Sequence, residues 1–459
     1  MKQYQHLIEQ TFDFPTNDFD LADGGLRFHG VPLLDVVKRF GTPTKLTYLP
    51  KISSNIQYVR QLFGQAMDKY GYEGAYQYCY CTKSSHFSFV LDEVLSNGVQ
   101  LETSSSYDIP IIRKLYEQRK VDRDVLIVCN GFKRELYLRY VSELINEGFN
   151  CVPVLDSLGE IDYYDQHVNG SYQVGIRVAS DETPRFELYT SRLGVRYSDI
   201  TELYQTRIRE NPRARLKMLH MFVNQGIDDS SYYWSELDRF VDKYCELKKI
   251  CPELDSIDIG GGFPVKDSLW FKYDYPYIVD EIVRNVQATC RENNVPTPNI
   301  LTEFGIYTVG ESGAVLYSVL DQKQQNDKEL WYMIDGSFIT QLPDIWGLNR
   351  KYVTLPLNHW DQPYQKINLG GLTCDSQDYY NTEAHRNELF LPKTDQPLYV
   401  GFFYTGAYQE ALGGYGGIQH CLIPAPQHVV INRGADGELS YQLFAPEQSS
   451  EAMLKVLGY

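Results

Sequence analysis

From about residue 75 to residue 305 the chain repeats one unit. A short run rich in β-branched and aromatic residues is followed by an amphipathic stretch at helical spacing. The runs fall at 75–83, 98–105, 124–131, 150–157, 173–180, 215–223, 256–262 and 300–305. Helical stretches between them include 87–95, 108–118, 133–147 and 232–248. Eight strands alternating with helices over roughly 250 residues have the count and length of a (β/α)8 barrel. An open doubly wound sheet is the alternative, but no Gly-x-Gly-x-x-Gly follows the first run. The spacing predicts an α/β chain, with a (β/α)8 barrel over 46–308 followed by a mostly β domain over 309–459. Strand-like runs in the second part lie at 313–321, 330–335, 351–357, 397–403, 427–433 and 438–444, with one helix at 449–457. Residues 1–45 read as irregular and are expected to join the β domain.

Composition narrows the function classes. Sixty acidic side chains against 43 basic ones give a net charge of −17, which argues against nucleic acid and suits a cationic small substrate. No apolar run reaches the ~18 residues of a membrane span. The Met1-Lys2-Gln3 start leads into polar sequence with no secretory stretch, so a cytoplasmic location is expected. The nine cysteines form no Cys-x-x-Cys motif, so reduced thiols and no metal site are expected.

In a barrel of this kind, chemistry sits at the C-terminal ends of the strands. The first run ends in Lys83, after a Tyr- and Cys-rich stretch with no acidic neighbour in sequence. Such a setting desolvates the amine and lowers its pKa, freeing it for Schiff-base chemistry; a solvated lysine leaving a strand is the plain alternative. Glu102 ends the second run at about the same level. The seventh ends in Gly260-Gly261-Gly262, where bare backbone N–H groups can face a phosphate. The eighth ends in Glu303. A carboxylate buried there needs a cationic partner; a solvated acid at the barrel rim is the plain alternative.

The C-terminal part carries a second set of motifs. Thr373-Cys374-Asp375-Ser376-Gln377-Asp378, then Gly401-Phe402-Phe403 with Gly406-Ala407-Tyr408-Gln409-Glu410, resemble the signature of the alanine-racemase-like, pyridoxal-phosphate-dependent decarboxylases of basic amino acids. Gln341-Leu342-Pro343-Asp344-Ile345-Trp346-Gly347, Leu355-Pro356-Leu357 and Asp361-Gln362 are similar to the stretch before the Cys loop of biosynthetic arginine decarboxylases. The resemblance runs from about residue 44 to 431. It implies pyridoxal 5'-phosphate as cofactor and conversion of L-arginine to agmatine and CO2 in polyamine biosynthesis. The alternatives are another basic amino acid (ornithine, lysine, diaminopimelate or carboxynorspermidine) or a non-catalytic cofactor-binding relative.

The resemblance also implies roles. Lys83 would carry the cofactor, with Glu102 near it and Glu303 on the pyridine nitrogen. Gly260, Gly261, Gly262 and Tyr408 would bind the phosphate. Cys374 would return a proton to the substrate carbon, and Asp375 would bind the basic end of the substrate across a homodimer interface, with Asp344 as a second acid in the pocket. Three positions depart from the family pattern. Phe222 stands where a histidine usually stacks on the cofactor ring, Ile306 where an arginine reaches the phosphate, and Gln225 where a serine does.

Overall fold

The computed structural model describes residues 3–157, 159–179, 191–224, 226–380 and 389–459. The chain divides into two compact units. One comprises Ser53–Pro264 and Tyr273–Thr308, the other Met1–Ile52, Val265–Lys272 and Val309–Tyr459.

The first unit is the barrel. Its strands are β1 (Tyr76–Cys81), β2 (Gln100–Thr103), β3 (Ile127–Cys129), β4 (Cys151–Leu155), β5 (Tyr172–Ala179), β6 (Ala214–His220), β7 (Ser256–Asp258) and β8 (Asn299–Phe304). Each pairs in parallel with its neighbours, β8 returns to β1, and β4 pairs with β5, which closes the ring. Every one of the eight expected runs holds a strand. The strands are mostly shorter than the runs because the C-terminal residues of each run turn out into the loops. The fifth run's last residue, Ser180, lies outside the described residues. Cys79, Val128, Val152, Val154, Met218 and Leu301 pack together as a buried cluster drawn from β1, β3, β4, β6 and β8. Gly175 on β5 makes room for it, since a Cβ there would crowd Met218 Cγ at 3.1 Å and Val154 Cγ2 at 3.2 Å.

The helices start where the sequence caps them. Ser230 accepts a hydrogen bond from the Tyr233 N–H before the helix Ser231–Lys248, and Asp274 accepts from Tyr277 before Tyr275–Glu292. Both helices turn an apolar stripe inward, with Leu237, Phe240, Val241 and Tyr244 on the first and Ile278, Val279, Ile282, Val283 and Val286 on the second.

The second unit is built on a β-sheet. Its long strand, Gly313–Gln324, pairs with Tyr399–Phe403 and Thr44–Tyr48 through its first half and with Leu330–Ile334 through its second. Gln427–Arg433 runs parallel to Thr44–Tyr48 and antiparallel to Leu439–Ala445. The N-terminal reading needs correction. Residues read as irregular hold a helix, Tyr4–Thr11, a three-stranded meander over Phe19–Ala22, Gly25–Phe28 and Val31–Pro32, and a second helix, Leu33–Phe40. Each element is short, so no period repeats often enough to be read. Thr44–Tyr48 is a fully buried strand of the sheet, and the barrel unit starts at Ser53 rather than 46.

One buried group in this sheet makes stability depend on pH. His428 on Gln427–Arg433 is 2% exposed and shares a 2.9 Å hydrogen bond with Thr47 Oγ1. Burial disfavours its charged form; Glu410 opposes this, Lys45 adds to it, and the pKa falls from 6.5 to about 4. The unfolded chain therefore takes up a proton near pH 6.5 that the folded chain refuses until about pH 4. Stability should fall as pH drops through that window, by about 3 kcal/mol from this group. Urea midpoints measured across it should show the slope, and His428→Gln should flatten it. An unchanged slope in the variant would assign the effect to other groups.

Candidate active site

The carboxyl ends of β1, β2, β3, β6, β7 and β8 bring six polar side chains to one end of the barrel. Lys83 lies in the turn Thr82–Ser84 just after β1, and parallel pairing sets Cys81 opposite Glu102. The Lys83 Nζ donates to Glu102 Oε2 at 2.8 Å. Glu102 is fully buried, whereas the Lys83 side chain keeps 43% of its surface accessible. Asn130, immediately after β3, donates through Nδ2 to Glu102 Oε1 at 3.1 Å and to Glu303 Oε1 at 2.6 Å. His220 at the end of β6 meets the other Glu303 oxygen at 3.2 Å through Nε2. Asp258 at the end of β7 accepts from the Gly260 N–H at 2.8 Å.

The charges in this cluster are set by one another. Desolvation alone would favour a neutral Glu303, but the His220 charge and hydrogen bond, then Lys83 and Asn130, hold its pKa down to about 2. Asp258 moves the other way: burial and the Glu303 charge push its carboxyl well above the usual range. The expectation for Lys83 is overturned. Desolvation does pull its pKa down, but Glu102, Cys81 and Glu303 more than offset it, and the ammonium is held well above the ordinary lysine range. The acidic neighbour comes from the adjacent strand, not from the adjacent residue.

The three glycines after β7 answer first to packing. A Cβ on Gly260 would sit 2.6 Å from Met221 O, on Gly261 2.1 Å from Glu303 O, and on Gly262 2.6 Å from Gly226 Cα. The ends of β6, β7 and β8 thus come together backbone against backbone. Gly260 and Gly262 also hold positive φ values of 70° and 109°, which favour glycine. Phe222 stands two residues beyond β6 beside Gly260, with the Arg177 guanidinium 5.7 Å from its ring centre. Ile306 opens a short helix, Ile306–Val309, directly after β8. Gln225 lies outside the described residues.

The remaining expected site residues belong to the other unit. Cys374 is exposed, with its Sγ 3.5 Å from Cys421 Sγ, and that hydrogen bond raises the Cys374 pKa. Asp375 accepts from the Gln377 N–H at 2.8 Å and lies 3.5 Å from His420 Nε2. Tyr408 adopts a left-handed φ of 68° just before the short helix Gln409–Gly413. Asp344 does not fit the role expected of it. It is 2% exposed, takes a 2.8 Å hydrogen bond from Gln409 Nε2, and pairs with Arg350 at 3.3 Å. Arg350, six residues on, occupies the carboxylate from within the same unit.

The barrel cluster fits a pyridoxal cofactor. An amine stands accessible at the end of β1, and a buried carboxylate held ionised stands ready for a protonated ring nitrogen. His220, Asp258 and Glu303 each bring a ligand atom within 4.8 Å of the others, a spacing that could also hold a cation. Glu303 already receives Asn130 and His220 there. Asn130, His220 and Asp258 carried no role in the sequence reading. Their one shared signal is position, at or just past a strand's C-terminal end.

The sequence model of the pyridoxal-dependent decarboxylase pyridoxal-binding domain matches residues 56–310, more than half of the chain. The chain belongs to the pyridoxal-dependent decarboxylase family, and with it comes a carboxy-lyase working with pyridoxal phosphate. The biosynthetic arginine decarboxylase of Prochlorococcus marinus strain MIT 9215 is 21% identical over 92% of this chain and 83% of its own. Among solved structures, the biosynthetic arginine decarboxylase SpeA of Campylobacter jejuni superposes with a TM-score of 0.83 at 19% identity, covering all of this chain and 91% of the other. The diaminopimelate decarboxylase of M. jannaschii, in complex with L-lysine, gives 0.80 at 16% identity, covering 95% and 97%. These superpositions establish the barrel-plus-β architecture.

Proposed function

We propose that this protein decarboxylates L-arginine to agmatine and CO2 as a cytoplasmic homodimer serving polyamine biosynthesis. The observation that carries the reaction is the line Lys83–Glu102–Asn130–Glu303–His220 inside the barrel end. Similarity to arginine decarboxylases along 92% of the chain supports the substrate. Bound pyridoxal phosphate supplies the electron sink for the pair released as CO2 leaves. Lys83 would be the attachment point, Glu303 would set a negative charge against the ring nitrogen, and the backbone of Gly260–Gly262 would face the phosphate. Cys374 carries a proton on Sγ for delivery to Cα, and its raised pKa suits a thiol that must stay protonated at neutral pH. The dimer reading is supported by exposed apolar side chains beside that thiol in sequence: Leu372, and Leu422 next to Cys421.

Asp375 is the acid left to receive a cationic side-chain terminus, since Asp344 is taken by Arg350. A guanidinium offers a planar fork of donors to a carboxylate. Release of CO2 from a panel of basic amino acids by purified protein with added cofactor should be fastest with arginine. Asp375→Asn should cost about 2–3 kcal/mol in kcat/KM for arginine and little for a neutral analogue that still turns over. Equal losses for both would move Asp375 into chemistry or folding. Preference for diaminopimelate would overturn the substrate.

A further inference from the structure

We propose that Asn130 is a positioning residue whose amide ties Glu102, the partner of Lys83, to Glu303, so that the groups at both ends of the cofactor are set as one unit. The proposal rests on the reading that Lys83 and Glu303 hold the cofactor. Asn130 follows β3 directly, and its own N–H donates to Thr103 O at 2.8 Å, which fixes its backbone against β2. Its side-chain nitrogen then spans 3.1 Å to Glu102 and 2.6 Å to Glu303. All three residues are buried, at 5%, 0% and 6% exposure.

A primary amide has two N–H donors, and this one gives one to each carboxylate. The reverse orientation would set the amide oxygen against two carboxylate oxygens. The observed one leaves Oδ1 buried without a hydrogen-bond partner, so the side chain forgoes a bond at oxygen to keep two at nitrogen. Two carboxylates this close oppose each other's ionisation. An amide can bridge them without neutralising either, which a lysine would do, and without adding a third negative charge, which an aspartate would do. The arm from Asn130 to Glu303 joins residues 173 positions apart, at the ends of β3 and β8, which β1 and β2 separate in the ring. The charged and titratable groups facing it are Lys83 from the turn after β1, Cys79 and Cys81 on β1, Glu102 on β2, His220 on β6, Asp258 on β7 and Glu303 on β8.

The test is cofactor affinity, read from the visible absorbance of full-length protein titrated with pyridoxal phosphate between pH 6 and 9. Asn130→Ala should weaken binding about tenfold to a hundredfold, the worth of one or two charge-assisted hydrogen bonds. Asn130→Asp keeps the shape but can donate only while its carboxyl holds a proton. Its affinity relative to wild type should therefore fall as pH rises. A steric role would let Asn130→Asp track wild type at every pH, and that result overturns the proposal. So does wild-type affinity in Asn130→Ala. Thermal unfolding without cofactor is measured alongside. If both variants are unfolded, the amide serves folding and the proposal falls. Borohydride labelling of the wild type separates the two readings: no label on Lys83 removes the underlying site, whereas a labelled wild type with an indifferent Asn130 removes only the bridge.

Discussion

Lys83→Ala is expected to abolish decarboxylation and covalent cofactor retention together. The Lys83 amine is the accessible cation in the cluster, and Glu102 and Glu303 hold its charge well above the ordinary lysine pKa. The empty protein should therefore rest with a protonated amine. Cofactor capture requires that proton to leave, against the contact with Glu102 at 2.8 Å. Wild-type protein with pyridoxal phosphate should absorb at the edge of the visible, and borohydride should fix the label on Lys83. In Lys83→Ala the activity loss should be at least about a thousandfold, as for a removed covalent residue. A labelled peptide from elsewhere, or activity within tenfold of wild type, removes Lys83 from the chemistry.

Neither Lys83→Ala nor Cys374→Ala should be active alone, yet a mixture should recover activity. The two residues belong to different compact units of the chain. If each site takes its thiol from the neighbouring subunit, a hybrid dimer carries one site with both residues intact and one with neither. Random exchange makes half the dimers hybrid, so the mixture should reach about a quarter of wild-type activity. Subunit exchange is verified separately by mass. Exchange without recovered activity would mean that each chain completes its own site.

The barrel was readable because its signal repeats. Eight runs of β-branched and aromatic residues at similar spacing leave few architectures open, and an error of two residues at any boundary changes nothing. The N-terminal elements had no such redundancy. Thr44–Tyr48 alternates weakly and leads straight into the 22-residue helix Leu49–Tyr70, so it reads as the start of the barrel rather than as a strand of the other sheet. That Lys83, Glu102 and Glu303 meet at one end of the barrel was legible from the strand-end rule. Asn130 was not, because an asparagine after an apolar run is an ordinary turn residue and its partners lie 28 and 173 positions away. The Lys83 charge was misread for the same reason. A lysine's neighbours in sequence say little about an amine whose partner is supplied by strand pairing. Asp344 was misread by its surroundings too: the cation that occupies it, Arg350, is six residues on, across the turn closing the helix Pro343–Leu348.

The place of Thr44–Tyr48 has a consequence for the order in which the chain can assemble. This strand is made before every barrel strand, but both of its partners, Gly313–Gln324 and Gln427–Arg433, are made after the last one. During synthesis the barrel has all its strands while this early segment has no hydrogen-bonding mate, and the sheet around it can close only after Gln427–Arg433 has been made. A nascent chain stopped short of residue 427 therefore holds a finished barrel sequence and an open sheet edge at Thr44–Tyr48, where another chain's strand could pair.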